Sequence, residues 1–118
     1  SIIYFWVVPA RAAGEWLWAI DYPRDSNDPI EYGASIMQTF QDIEGSLSVF
    51  PSQGRIRDAS LVGTRIAFTA DIEVSERIVR HEFVGEIDGD RITGTVKLSG
   101  GVMPITLPWT AQRAKAAQ

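Results

Sequence analysis

A chain of 118 residues with one histidine and no cysteine has few groups on which to build chemistry. Any Ser-His-acid triad has to use His81, and no Gly-x-Ser-x-Gly elbow is present to offer it a serine. His81 sits in an alternating run with Val79 and Phe83, which predicts a strand histidine facing an interior or its rim. Asp25, Asn27 and Asp28 are the residue types of a calcium loop, but the required Gly and distal Glu are missing, and the stretch reads as a solvated turn. The carboxylates Glu73, Glu76, Glu82, Glu86, Asp88 and Asp90 fall mostly on outward phases or in turns, where charge keeps strands soluble. Paired acid/base work requires two of them to converge in a pocket. No catalytic residue and no metal ligand is therefore assigned, and thiol redox chemistry, thiolate zinc sites and disulfides are excluded outright.

The residues that do cluster by type are aromatic. Trp16, Trp18, Tyr32, Phe40, Phe68, Phe83 and Trp109 share inward phases with His81, and they either fill an interior or line a cavity for a small apolar ligand. Their bulk, in a chain this short, favours the filled core.

The elements that must carry them read as short strands. In Gly14 to Tyr22, side chains alternate so that Trp16, Trp18, Ile20 and Tyr22 share one face while Glu15 and Asp21 take the other. Gly14 lets the chain turn sharply into that strand. A polar loop from Pro23 to Pro29 comes next. Tyr32, Ala34, Ile36 and Phe40 then share a phase, and Ile43, Gly45, Leu47 and Val49 resume in the opposite parity, which predicts a tight turn or bulge near Gln41-Asp42-Ile43. Pro51 to Gly54 is expected as the next turn, leading into a strand from Arg55 to Leu61, and Val62-Gly63-Thr64 as a reversal into Arg65 to Ile72. Asp88-Gly89-Asp90 is the clearest hairpin signal, flanked by alternating runs on both sides. Leu107, Trp109, Ala111 and Arg113 form the last strand, and residues 114–118 read as a tail.

Eight to ten short strands with hardly a helical period predict an all-β fold, an antiparallel up-and-down barrel. Glycines at inward positions, Gly45, Gly85 and Gly94, suit strands that bend around a small circumference. Residues 14–113 form the barrel. Residues 1–13, with the two-sided apolar run Ile2 to Val8 stopped by Pro9, read as a strand and linker from a preceding domain. The opening on Ser1, without Met and inside an apolar run, reads as a domain cut from a longer protein. Exposed, that run is expected to pair with the barrel or with a second copy.

A net charge of -4 removes any general attraction to phosphate backbones, so nucleic acid is not an expected partner. Ile2 to Val8 falls far short of the roughly 20 residues of a membrane-spanning helix.

Gly14-Glu15-Trp16 resembles the Gly-x-Trp signature of the calycins, the lipocalin and avidin group of up-and-down barrels. That resemblance implies that Arg113, ending the last strand, packs across Trp16 at the closed end, with Gly14, Trp16 and Arg113 as the structural closure. More of the chain is involved in a second likeness. Tyr4 to Ala10, Gly14-Glu15-Trp16-Leu17-Trp18, Phe83 to Gly94, and Trp109-Thr110-Ala111-Gln112-Arg113 together resemble the C-terminal β domain appended to bacterial class I SAM-dependent methyltransferases. This likeness implies a non-catalytic accessory domain docked on a preceding methyltransferase domain or a partner, in a cytoplasmic protein. SAM would belong to that catalytic domain, because its acidic-Gly-x-Gly loop has no counterpart in this sequence. The calycin likeness implies instead a module holding a small hydrophobic ligand inside the barrel.

Overall fold

The computed structural model describes residues 9–22 and 28–115. The expected strand Ile2 to Val8, most of the loop from Pro23 to Pro29, and the last three residues of the expected tail lie outside them. Nine strands succeed one another: β1 (Gly14–Ile20), β2 (Ile30–Thr39), β3 (Asp42–Val49), β4 (Ser52–Arg55), β5 (Arg57–Val62), β6 (Arg65–Val74), β7 (Arg77–Asp88), β8 (Arg91–Gly100) and β9 (Ile105–Arg113). There is no helix among the described residues.

All nine belong to one antiparallel sheet in the order β4-β3-β2-β1-β9-β8-β7-β6-β5. Chain neighbours pair throughout, apart from β9 returning to β1 through Trp16↔Arg113 and Leu17↔Gln112, and apart from β4 and β5. Those two are the sheet's edges, yet only Ile56 separates them in the chain. Its side chain is buried and its N–H donates to the Gly45 carbonyl at 3.0 Å. Across the edge, β4 lies so close to β6 that a Cβ on Gly54 would stand 2.9 Å from the Asp71 carbonyl oxygen. The sheet is thus an up-and-down, barrel-like curl, with the chain itself crossing a gap that no strand ladder closes.

Period-two burial builds this curl. Ile66, Phe68, Ala70, Ile72 and Val74 on β6 point inward, as do Val79, His81, Phe83 and Ile87 on β7, and Trp109 and Ala111 on β9. Apolar burial at about 25 cal/mol per Å² is what selects one register over its one-residue slip. Sharp bending needs space on the concave side. Gly85 and Gly94 are paired in the β7/β8 register, and a Cβ on Gly94 would run into the Val84 carbonyl while one on Gly85 would stand 3.1 Å from the Trp109 ring.

Three local expectations are corrected. Phe40 does not face the interior: it is 84% exposed, with φ of 55°. The Thr39↔Asp42 register makes Phe40-Gln41 a two-residue hairpin loop, and such loops draw residues into positive φ and out of the strand alternation. The reversal expected at Pro51 to Gly54 occurs at Phe50-Pro51, so that Ser52–Arg55 is free to pair with β3 from Val49↔Ser52 to Ser46↔Arg55. The single strand expected from Arg55 to Leu61 is broken at Ile56, where the chain changes edge.

Residues 10–13 also do more than link. The Ala10 N–H donates to the Gly63 carbonyl at 2.7 Å, and the Ala12 N–H donates to Gln38 Oε1 at 2.6 Å. Ala12 is fully buried.

Candidate functional site: the open end of the barrel

The middle of the barrel is a plug of rings. Trp18 stacks on Tyr32 with centroids 5.8 Å apart, and meets Phe83 and Trp109 edge-on at 5.3 and 5.5 Å. Phe68 and Phe83 stack at 4.9 Å, and Phe83 and Trp109 tilt together at 4.8 Å. Such offset and edge-on arrangements are the ones ring quadrupoles favour. Of the eight aromatic and histidine positions expected inside, six, Trp18, Tyr32, Phe68, His81, Phe83 and Trp109, form this one cluster. Trp16 is buried nearer the closed end, and Phe40 is outside.

At the closed end the Arg113 guanidinium carbon lies 4.3 Å from the centre of the Trp16 ring. Arg113 also donates to Asp90 Oδ1 at 2.8 Å, to the Arg11 carbonyl at 2.9 Å and to the Ala13 carbonyl. The Trp16 indole N–H donates to the Ala12 carbonyl at 2.8 Å. Gly14 turns into β1 with φ of 126°, a conformation that a side chain would strain.

Away from the closed end, the plug gives way to a line of polar groups. His81 is fully buried, with Nδ1 at 3.0 Å from the Val79 carbonyl and Nε2 at 2.7 Å from the Tyr32 hydroxyl. The Tyr32 hydroxyl in turn bonds the Tyr22 hydroxyl. A carbonyl only accepts, so Nδ1 carries the imidazole proton. Burial, the largest influence, pushes the His81 pKa below its ordinary value, against the opposing hydrogen bond to Val79 and the charge of Asp71. The ring is therefore neutral and Nε2 is bare, which makes Tyr32 the donor to His81 and Tyr22 the donor to Tyr32. Burial also raises the pKa of both tyrosines, so both keep their protons.

Tyr22 stands on the wall of a cavity of about 650 Å³ at the open end. Ile30, Val79, Leu98, Val102 and Met103 supply apolar wall, and Arg77 stands on the same wall with its guanidinium 3.4 Å from the Gly101 carbonyl. A smaller recess of about 410 Å³ adjoins it across Ile30, Val74 and Ser75, bordered by Phe50 and by Glu73 and Glu76. Volumes of this size suit a small organic molecule.

None of the eight positions expected to fill or line the interior stands on the cavity wall. Its lining comes from strand ends and from the segment Val102–Ile105. One signal was present: Tyr22 shares the inward phase of Trp16 and Trp18 while lying beyond the end of β1. Apolar Val102 and Met103, adjacent between Gly101 and Pro104, are a second.

No known protein family, no curated protein and no solved structure matches the chain.

Proposed function

We propose that this barrel binds a small, largely apolar molecule at its open end. One observation supports it above the others: a largely apolar cavity of about 650 Å³ whose wall carries, besides Ser75 and Arg77, Tyr22, whose hydroxyl is tied into the core behind it. Ligand sites commonly combine an apolar wall with a few placed polar groups in this way. The polar groups that the described residues place on the wall are those of Tyr22, Ser75 and Arg77, which can orient a bound molecule by hydrogen bonds. This differs from the calycin-type expectation of a ligand inside the barrel: the ligand is placed at the mouth, with the centre filled by rings.

Native mass spectrometry of the purified protein tests it. A reproducible added mass, lost in an Ile30→Trp variant that fills the cavity, is expected. A bare mass, together with no binding of a hydrophobic fluorophore, would sink the proposal.

A second reading rests on the closed end. Ala10, Arg11, Ala12 and Ala13 are each fastened to the barrel, by Gly63, Arg113 and Gln38. Such an anchored entry suits an accessory domain held at a fixed angle to a preceding SAM-dependent methyltransferase domain, where SAM and catalysis would reside. The coding sequence upstream of Ser1 tests this: an acidic-Gly-x-Gly loop after a strand is expected, and a secretory leader directly before Ser1 would overturn it.

A further inference from the structure

With the cavity taken as a binding site, a reading on which this inference rests, the direction of the hydrogen-bond chain says more about the ligand than the volume does. Each proton in the chain is committed. The His81 Nδ1–H goes to the Val79 carbonyl, the Tyr32 proton to His81 Nε2, and the Tyr22 proton to Tyr32. Reversing any link would set the His81 Nδ1 lone pair against the lone pairs of the Val79 carbonyl inside a fully buried site, where an unmet polar contact is costly. The Tyr22 hydroxyl therefore has nothing left to donate, and among the described residues none donates to its remaining lone pair.

We propose that the cavity selects apolar molecules bearing a hydrogen-bond donor, an alcohol, phenol or ring N–H, and that Tyr22 accepts this hydrogen bond with a polarity fixed by His81. An acceptor-only molecule of the same shape, an ether or ketone, fills the same walls and gains nothing from Tyr22. His81 acts here as a positioning residue. It never meets the ligand, but it decides which way the hydroxyl at the cavity wall points.

The test uses two probes of nearly equal shape, 2-naphthol and 2-methoxynaphthalene, titrated into the protein near neutral pH with tryptophan and probe fluorescence as readouts. The quantity that matters is the ratio of the two affinities, since the common ring system cancels. That ratio is expected to fall about tenfold, in favour of the ether, from the wild type to Tyr22→Phe, the worth of one buried hydrogen bond. Binding of 2-methoxynaphthalene itself should hold within about twofold, which shows that the variant is folded and its walls intact. His81→Phe leaves Tyr22 in place but frees Tyr32 to donate toward it, and the ratio should shift in the same direction.

A ratio unchanged by Tyr22→Phe, with both probes bound, would overturn the inference and leave the cavity reading standing. A wild type that binds neither probe would overturn both. If Tyr22→Phe lowers the ratio and His81→Phe does not, the role of His81 is refuted.

Discussion

The guanidinium of Arg113, at the end of β9, covers the ring of Trp16, near the start of β1, with 4.3 Å from carbon to ring centre, while the same two residues are backbone partners. First and last strands are thereby joined twice, once by their ladder and once by a cation on an aromatic face. Arg113 adds hydrogen bonds to the carbonyls of Arg11 and Ala13, so a single side chain fixes the entry of the chain as well as its exit.

Trp16→Ala is expected to cost about 3–5 kcal/mol, the usual loss for a large aromatic removed from a packed interior. Arg113→Met keeps an apolar stem over the ring but drops the hydrogen bonds, and should cost about 1–3 kcal/mol. Urea unfolding of the two variants measures both, and an unchanged midpoint for Trp16→Ala would contradict its burial.

Phe40 gives the opposite result. Being exposed in a hairpin loop at positive φ, it should be replaceable by Gly with no loss and a gain of up to about 1 kcal/mol. Phe83→Ala, at the centre of the ring cluster, should cost about 3–5 kcal/mol. Thermal melts of the pair decide between the hairpin placement and the inward phase suggested by the alternation.

Gly94→Ala and Gly89→Ala separate space from conformation. At Gly94 the added carbon meets the Val84 backbone, which cannot move without breaking the β7/β8 ladder, and a loss of about 3 kcal/mol, the upper end of the usual overpacking range, is expected. At Gly89 nothing lies within 4 Å, but φ is 61°, and the cost should be only the left-handed strain of about 1–2 kcal/mol. Equal losses in denaturant titrations would refute the close approach at Gly94.

Stability should fall as pH falls below about 6.5, where the unfolded chain's histidine takes a proton that buried His81 refuses. The slope is at most about 1.4 kcal/mol per pH unit, and it ends where His81 itself titrates in the folded protein. His81→Gln should flatten it. Asp71, whose carboxyl is held below its usual range chiefly by Arg57, adds its own loss only at still lower pH. Urea unfolding at about pH 5 and about pH 7.5 measures the difference; no difference in the wild type would show that His81 is not held neutral.

How much of this was legible in the sequence depends on what alternation can and cannot encode. Trp16, Trp18, Phe68, Phe83 and Trp109 were readable as inward because a strand's two faces repeat every second residue. Phe40 was misplaced because parity carries no mark of where a strand stops, and two loop residues erase it. The approach of Arg113 to Trp16 was foreseen from a resemblance, whereas alternation alone has no means of pairing the two ends of the chain. The Tyr22–Tyr32–His81 line was hidden for a different reason. Tyr32 on β2 and His81 on β7 are 49 positions apart and meet across the interior, so their contact depends on the curvature of the whole sheet. The cavity, too, is made where several strands end together, and strand ends are what periodicity locates worst.

The crossing at Ile56 has a consequence for the protein's behaviour among its own copies. An open sheet invites a strand from another molecule wherever N–H and C=O groups are left in a row. Here one edge is the four residues of Ser52–Arg55, set against β6. The other is bent where the register shifts between Arg57 and Ser60, with Asp58 at φ of 51° and Arg57 bound to both Asp58 and Asp71. Among the described residues, a strand arriving at either edge would find too short or too crooked a template.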